Sequence, residues 1–375
     1  MRRTTKHGFF IIVALVMFLA VSCATGVTIN YTQPAEINMG SYRNIAVAST
    51  VPYKGLANPP FFVRAIDADA FWDSYVTSSY DSSITTKVAS YATQKFVSTL
   101  ERSGFFSVTG PEKTDAMLQA GTFGYNSSEV LRKNNIDAVI IPKITNLNIN
   151  EFIQSKKVQE KDYDHKDKNG NPTVVTKTRY YLYQNVSIDF SYTIIDARTS
   201  QVVAVKNFSA SDSDYWEVDR YGFLTPDVYN MIKGMIDGFQ GYITKQLVPT
   251  NAKKNVTLMA NKPKIDSLKV AYDAAKEGYT SRAAELFLRE YSSSGHLPSG
   301  YNGALLTAAA GDLEGAITLL QEMSLRYSSS DVEKLLSNLI TIKSRNDEAM
   351  KQLSGEVTAN LSDTTMDIYQ VVMGN

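Results

Sequence analysis

The chain has 375 residues, and its 38 Lys and Arg are balanced by 38 Asp and Glu, so no broad electrostatic attraction to nucleic acid is expected. An apolar share of 43% is that of a packed globular protein, and a single cysteine excludes an internal disulfide. Its 22 Tyr suit protein or glycan contact as well as core packing, so composition leaves that choice open.

The N-terminus reads as an export signal. Arg2, Arg3 and Lys6 precede an apolar run from Phe9 to Leu19, the size of a signal-peptide core and short of the roughly 20 apolar residues that span a bilayer. The run closes on Leu19-Ala20-Val21-Ser22-Cys23, which resembles the bacterial lipobox, with Ala20 in place of the usual Leu as in the relaxed lipoboxes of spirochaetes. That resemblance implies cleavage after residue 22 and a diacylglyceryl group on Cys23, the only thiol in the chain. The expected location is the cell envelope, lipid-anchored, and the non-acidic Ala24 points to an outer membrane facing the periplasm.

Residues 23–41 are polar, with Pro34 and Gly40, and predict an extended tether. A first strand follows over Arg43 to Ser49. The next stretch, Pro52 to Ser83, is Pro-broken and rich in Ser and Asp, yet it carries Phe61, Phe62, Trp72 and Tyr75. Large aromatics in a segment too polar to build its own core are candidate anchors for a partner protein. Between Ile84 and Arg102, Val88, Ala92, Phe96 and Leu100 recur at four-residue spacing and predict a helix stopped by Gly104. A strand at Phe105 to Val108, a short helix at Ser128 to Lys133 and a buried strand at Ile136 to Pro142 come next.

The clearest strand runs from Tyr181 to Ile195. Leu182, Val186, Ile188, Phe190, Tyr192 and Ile194 share one face, and Tyr183, Asn185, Ser187, Asp189, Ser191 and Thr193 share the other, the period of a sheet with one wet side. Asp196 to Ser200 turns the chain, Gln201 to Ser209 returns as the second arm of a hairpin, and a helix spans Asp227 to Leu247.

After a linker at 251–263 the pattern changes. Over 264–353 no strand signal remains, and two stretches align at a spacing of 33: Ala271 with Ala304, Gly278 with Gly311, Ala283 with Ala316, and Phe287 with Leu320. Paired helices at this spacing resemble tetratricopeptide repeats, which implies a stack with a partner-binding groove, capped by a third helix from Asp331 to Leu353. Residues 354–375 form a tail. The predicted class is α+β: an α/β sandwich with a mixed sheet and an antiparallel hairpin over 42–250, then an all-α repeat.

Within 42–250, the helix ending Leu100-Glu101-Arg102-Ser103-Gly104-Phe105-Phe106-Ser107-Val108, the strand Ile136 to Ile141, and the hairpin turning at Asp196-Ala197-Arg198-Thr199-Ser200-Gln201-Val202-Val203 resemble the curli-secretion-channel (CsgG-like) lipoproteins and the first domain of TolB. The resemblance implies an envelope lipoprotein and, as an alternative function, an oligomeric secretion component. In that family hairpins leave the sheet to form a membrane barrel. Here the corresponding excursion, Ser155 to Arg179, is crowded with Lys, Asp and Glu and has hardly an apolar residue to face lipid, so it belongs in water.

No assembled chemistry is visible. The histidines are His7, His165 and His296, none at a ligand or triad spacing. Asp162, Asp164, His165, Asp167, Asn169 and Gly170 superficially match a calcium loop, but its first and closing acidic ligands are missing, and an Asn-Gly hairpin turn explains the segment. Asp67, Asp69 and Asp73, beside Trp72, sit in one loop rather than on the separate rigid elements a glycosidase uses. The expectation is a non-enzymatic, membrane-anchored adaptor that binds envelope proteins, with no cofactor or metal. A homo-oligomeric secretion component is the alternative, and an envelope hydrolase ranks last.

Overall fold

The computed structural model describes residues 25–55, 61–62, 78–79, 83–119, 127–217 and 228–355. They form two compact units, one built from residues up to 35 together with 249–354, the other from 36–248. The class is α+β: a mixed sheet with helices in the second unit, and strands with an all-helical stack in the first.

In chain order the strands are β1 (Gly26–Gln33), β2 (Asn44–Val47), β3 (Phe61–Phe62), β4 (Ser78–Ser79), β5 (Ser107–Thr109), β6 (Ala138–Lys166), β7 (Pro172–Asp196), β8 (Val202–Glu217) and β9 (Thr250–Thr257). The α-helices are α1 (Ser83–Arg102), α2 (Pro111–Gln119), α3 (Ser127–Lys133), α4 (Val228–Leu247), α5 (Lys269–Lys276), α6 (Thr280–Ser294), α7 (Leu297–Ala309), α8 (Leu313–Arg326) and α9 (Ser330–Ser354).

The main sheet has the order β5-β2-β6-β7-β8, parallel from β5 to β6 and antiparallel from β6 to β8. Its two faces are covered by different helices, as the alternation along β6 requires. Ile140 and Ile144 join Val88, Ala92, Phe96 and Leu100 of α1 and Ile232, Phe239 and Ile243 of α4 in one core. Val139 and Ile141, pointing the other way, meet Met117 and Leu118 of α2 and Leu131 of α3. Phe96 lies 5.3 Å from Tyr192 between ring centroids, edge to face, so the four-residue stripe of α1 docks on the apolar face of β7. Gly104 ends that helix segment at φ +64°, a conformation other residues adopt at a cost.

The strands around the hairpin are far longer than the sequence pattern predicts. β6 has 29 residues and β7 has 25, so at roughly 3.3 Å per residue β6 follows a path on the order of 90 Å. From residue 154 outward both of its faces are wet, and a strand without a dry face has no alternating apolar signature. The charged segment 155–179 is therefore an exposed two-stranded ribbon, turning at Gly170 with φ +83°.

The expected tether is the principal correction. Eight of its residues form β1, paired antiparallel along its whole length with β9, which in turn takes up most of the expected linker. Val27 and Ile29 enter the core of the helical stack, while Ile37 and Met39 enter the core of the sheet unit. Alternation of Val27, Ile29 and Tyr31 with polar residues is a genuine strand signal, hidden by its neighbourhood of Gln, Pro and Asn.

Within the stack, the 33-residue equivalences hold as geometry. Ala271, Ala304, Ala283, Ala316, Phe287 and Leu320 all have 0% exposure, and Gly278 and Gly311 end the first helix of each pair with φ of +86° and +103°. Helix α7 is buried on nearly every side, with Gly303 allowing close approach: a Cβ there would lie 2.5 Å from Leu288. β1 packs on α7 and α9, where the Thr32 N–H donates to Asn346 Oδ1 at 3.0 Å, and just past the strand the Ala35 N–H donates to Gln352 Oε1 at 2.8 Å. Asn302 clamps the end of β9, accepting from the Met259 N–H at 2.6 Å and donating to the Met259 carbonyl at 2.9 Å.

Candidate interaction surface

Cys23, Trp72 and Tyr75, like Asp67, Asp69 and Asp73, lie outside the described residues, while Phe61 and Phe62 form β3, paired with Ser78 and Ser79. His165 Nδ1 sits 2.9 Å from Asp162 Oδ2 on the ribbon, and Asp167 accepts the backbone N–H groups of Asn169 and Asn171 at 2.9 and 2.8 Å. Those N–H groups, Asn171 foremost, hold the Asp167 carboxyl below its usual range. The segment that superficially matches a calcium loop is therefore a turn stapled by its own carboxylate. His296 is buried, its Nδ1 2.8 Å from Ser299 Oγ and its Nε2 3.1 Å from the Pro263 carbonyl, a fold-holding role at the start of α7. Among the described residues no three His, Cys, Asp or Glu cluster as metal ligands, and no helix is long and apolar enough to cross a membrane.

A different surface emerges from the strand register. Where α2 and α3 stop covering the sheet, three rows of short polar side chains run across β6, β7 and β8: Asn146, Asp189 and Ser209; Asn148, Ser187 and Ser211; Asn150, Asn185 and Ser213. Asn148, Asn185, Ser187, Ser211 and Ser213 border a shallow groove of about 360 Å³. The next row is aromatic. Phe152 stacks on Tyr183 at 5.2 Å and an interplanar angle of 7°, and Tyr183 stacks on Tyr215 at 5.4 Å, with Tyr181 edge-on to Tyr215 at 5.9 Å. Phe152 is 40% and Tyr215 59% exposed. Two rows further out, Arg179 bridges Glu160 and Glu217, which pins the outer strands to β7. Charge-assisted bonds from Arg179 and Lys177 hold the Glu160 carboxyl below its usual range.

The Tyr183 to Ser187 part of this face is legible in the sequence as the wet side of β7. Phe152 and Tyr215 are not, because only the register puts them beside Tyr183.

Under the aromatic row, on the opposite face, Glu151 is 4% exposed and paired across strands with fully buried Gln184, whose amide N–H donates to it. Burial pushes the Glu151 carboxyl up, opposed by that N–H. A raised native value means the folded state holds its proton longer than the unfolded chain does. Stability is then fullest below the ordinary carboxylate value of about 4.3, and falls as pH rises from there through the raised value. Glu151→Gln, which needs no proton to stay neutral, should flatten this part of the pH dependence and raise the melting temperature at neutral pH. Parallel melting curves for the two proteins across that range would contradict it.

No family model matches the chain, and no curated protein does. Among solved structures, a PelC dodecamer from Paraburkholderia phytofirmans aligns at 11% identity over 59% of this chain and 97% of that chain, with a TM-score of 0.24. At that score the likeness carries no weight for fold or function.

Proposed function

We propose that the chain is a lipid-anchored, non-enzymatic adaptor of the cell envelope, held by Cys23 to an outer membrane on its periplasmic side, and that it captures a partner protein on the sheet face around Phe152, Tyr183 and Tyr215. The observation that carries this reading is the stacked, exposed aromatic row. Aromatic side chains concentrate binding energy at interfaces, and rings already stacked across three strands lose little freedom when a partner covers them. Phe61, Phe62, Trp72 and Tyr75 remain further candidate anchors.

A photo-crosslinking residue at Tyr215, activated in the native envelope, is expected to give a discrete adduct that disappears when Phe152 is changed to Ser with the melting temperature unchanged. A chain that gives no adduct, or gives the same one in the Phe152→Ser background, does not bind through this face.

The oligomeric secretion component remains the second reading, and β8 favours it. Among the described residues β7 is the one strand paired with β8, so the outer edge of β8 beyond Val202 can take another strand. A ring-sized mass for the detergent-extracted protein supports that reading; a monomer excludes it.

A further inference from the structure

The absence of a tether changes what can lie against the membrane. β1 begins three residues after Cys23, and the Leu258 N–H donates to the Thr25 carbonyl at 3.0 Å, so the first described residue is bound to the chain just past the end of β9. Consecutive Cα atoms are about 3.8 Å apart, so the Cys23 Cα lies within about 8 Å of the Thr25 Cα. A lipid on Cys23 therefore holds this corner of the helical unit against the headgroups.

That corner is basic in a chain whose net charge is zero. Residues 250–270 contain Lys253, Lys254, Lys262, Lys264 and Lys269, all exposed, against one acid, Asp266; residues 23–35 carry no charge. Lys264 pairs with Asp266 at 2.8 Å, and Glu290 of α6 accepts from Ser267 Oγ at 3.1 Å, so counting that second acid still leaves an excess of positive charge. Among the described residues Lys253, Lys254, Lys262 and Lys269 form no ion pair.

We propose that the end of the β1–β9 ribbon and the segment 258–269 form a docking surface for anionic phospholipid headgroups, beside the lipid anchor; the proposal rests on lipidation of Cys23. Attraction between lysines and an anionic surface acts over a Debye length, about 8 Å at physiological salt, which matches the reach left by the short connection. A tether of the predicted length would have placed these lysines beyond it.

The test uses the full lipidated protein, reconstituted in vesicles of phosphatidylcholine alone or of phosphatidylcholine and phosphatidylglycerol in equal parts. A water-soluble amine reagent, followed by peptide mass analysis, reads each lysine. The expected result is several-fold slower labelling of Lys262, Lys264 and Lys269 on the anionic vesicles, reversed by high salt. Equal rates on both vesicles, with the lipid mass present on Cys23, overturn the docking surface and leave the anchor standing. Absence of that mass overturns both.

Discussion

Ala316→Arg is expected to unfold the helical unit or shift its melting by many degrees. Ala316 has no exposed surface, and its 33-residue equivalent Ala283 has none either, so both are packed on all sides within the stack. A guanidinium there must overpack the contact and bury a charge, costing roughly 3 kcal/mol or more, against a total stability of about 5–15 kcal/mol for a typical domain. Leu325, on the same helix and 88% exposed, supplies the control: Leu325→Arg should leave melting unchanged. Circular dichroism of the full chain reads both variants. If Ala316→Arg melts like the unaltered protein, the packing of the stack is wrong as described. The full chain is required, because a fragment starting at residue 262 would lose Val27, Ile29 and Leu258 from the core it is meant to report on.

The second large effect is expected at Cys23. Cys23→Ser removes the only thiol and should abolish incorporation of a fatty-acid analogue, leaving the chain without its acyl anchor. One acyl chain holds a protein only marginally, whereas the two or three chains of a mature lipoprotein hold it firmly, so the change in membrane retention should be close to all-or-none. Retention of the variant in high salt, without label, would show that another part of the protein is the anchor. Because β1 follows Cys23 so closely, an anchor there would also set which surface of the helical unit meets the bilayer.

The elements read best from sequence are those with one dry face. The four-residue stripe of α1, the alternation of β7 and the 33-residue recurrence of Ala, Gly and Phe or Leu are local records of burial, and each side chain they mark as buried is buried. Capping follows the same logic, since a left-handed residue after a helix favours glycine, as at Gly104, Gly278 and Gly311, or asparagine, as at Asn135. Local pattern therefore sufficed for the α+β class, the hairpin and the helix pairs.

Three features were decided by tertiary structure. The outer halves of β6 and β7 have water on both faces, so their pairing is specified by each other and not by any periodicity in either strand. The aromatic row of Phe152, Tyr183 and Tyr215 exists only as a register, a relation between residues up to 63 positions apart in the sequence. β1, isolated among polar residues, finds its hydrogen bonds on β9, more than 200 residues away, and buries its apolar face in the core of the helical stack. Apolar periodicity reports which side of an element is dry, but it carries no information about which distant segment makes it dry.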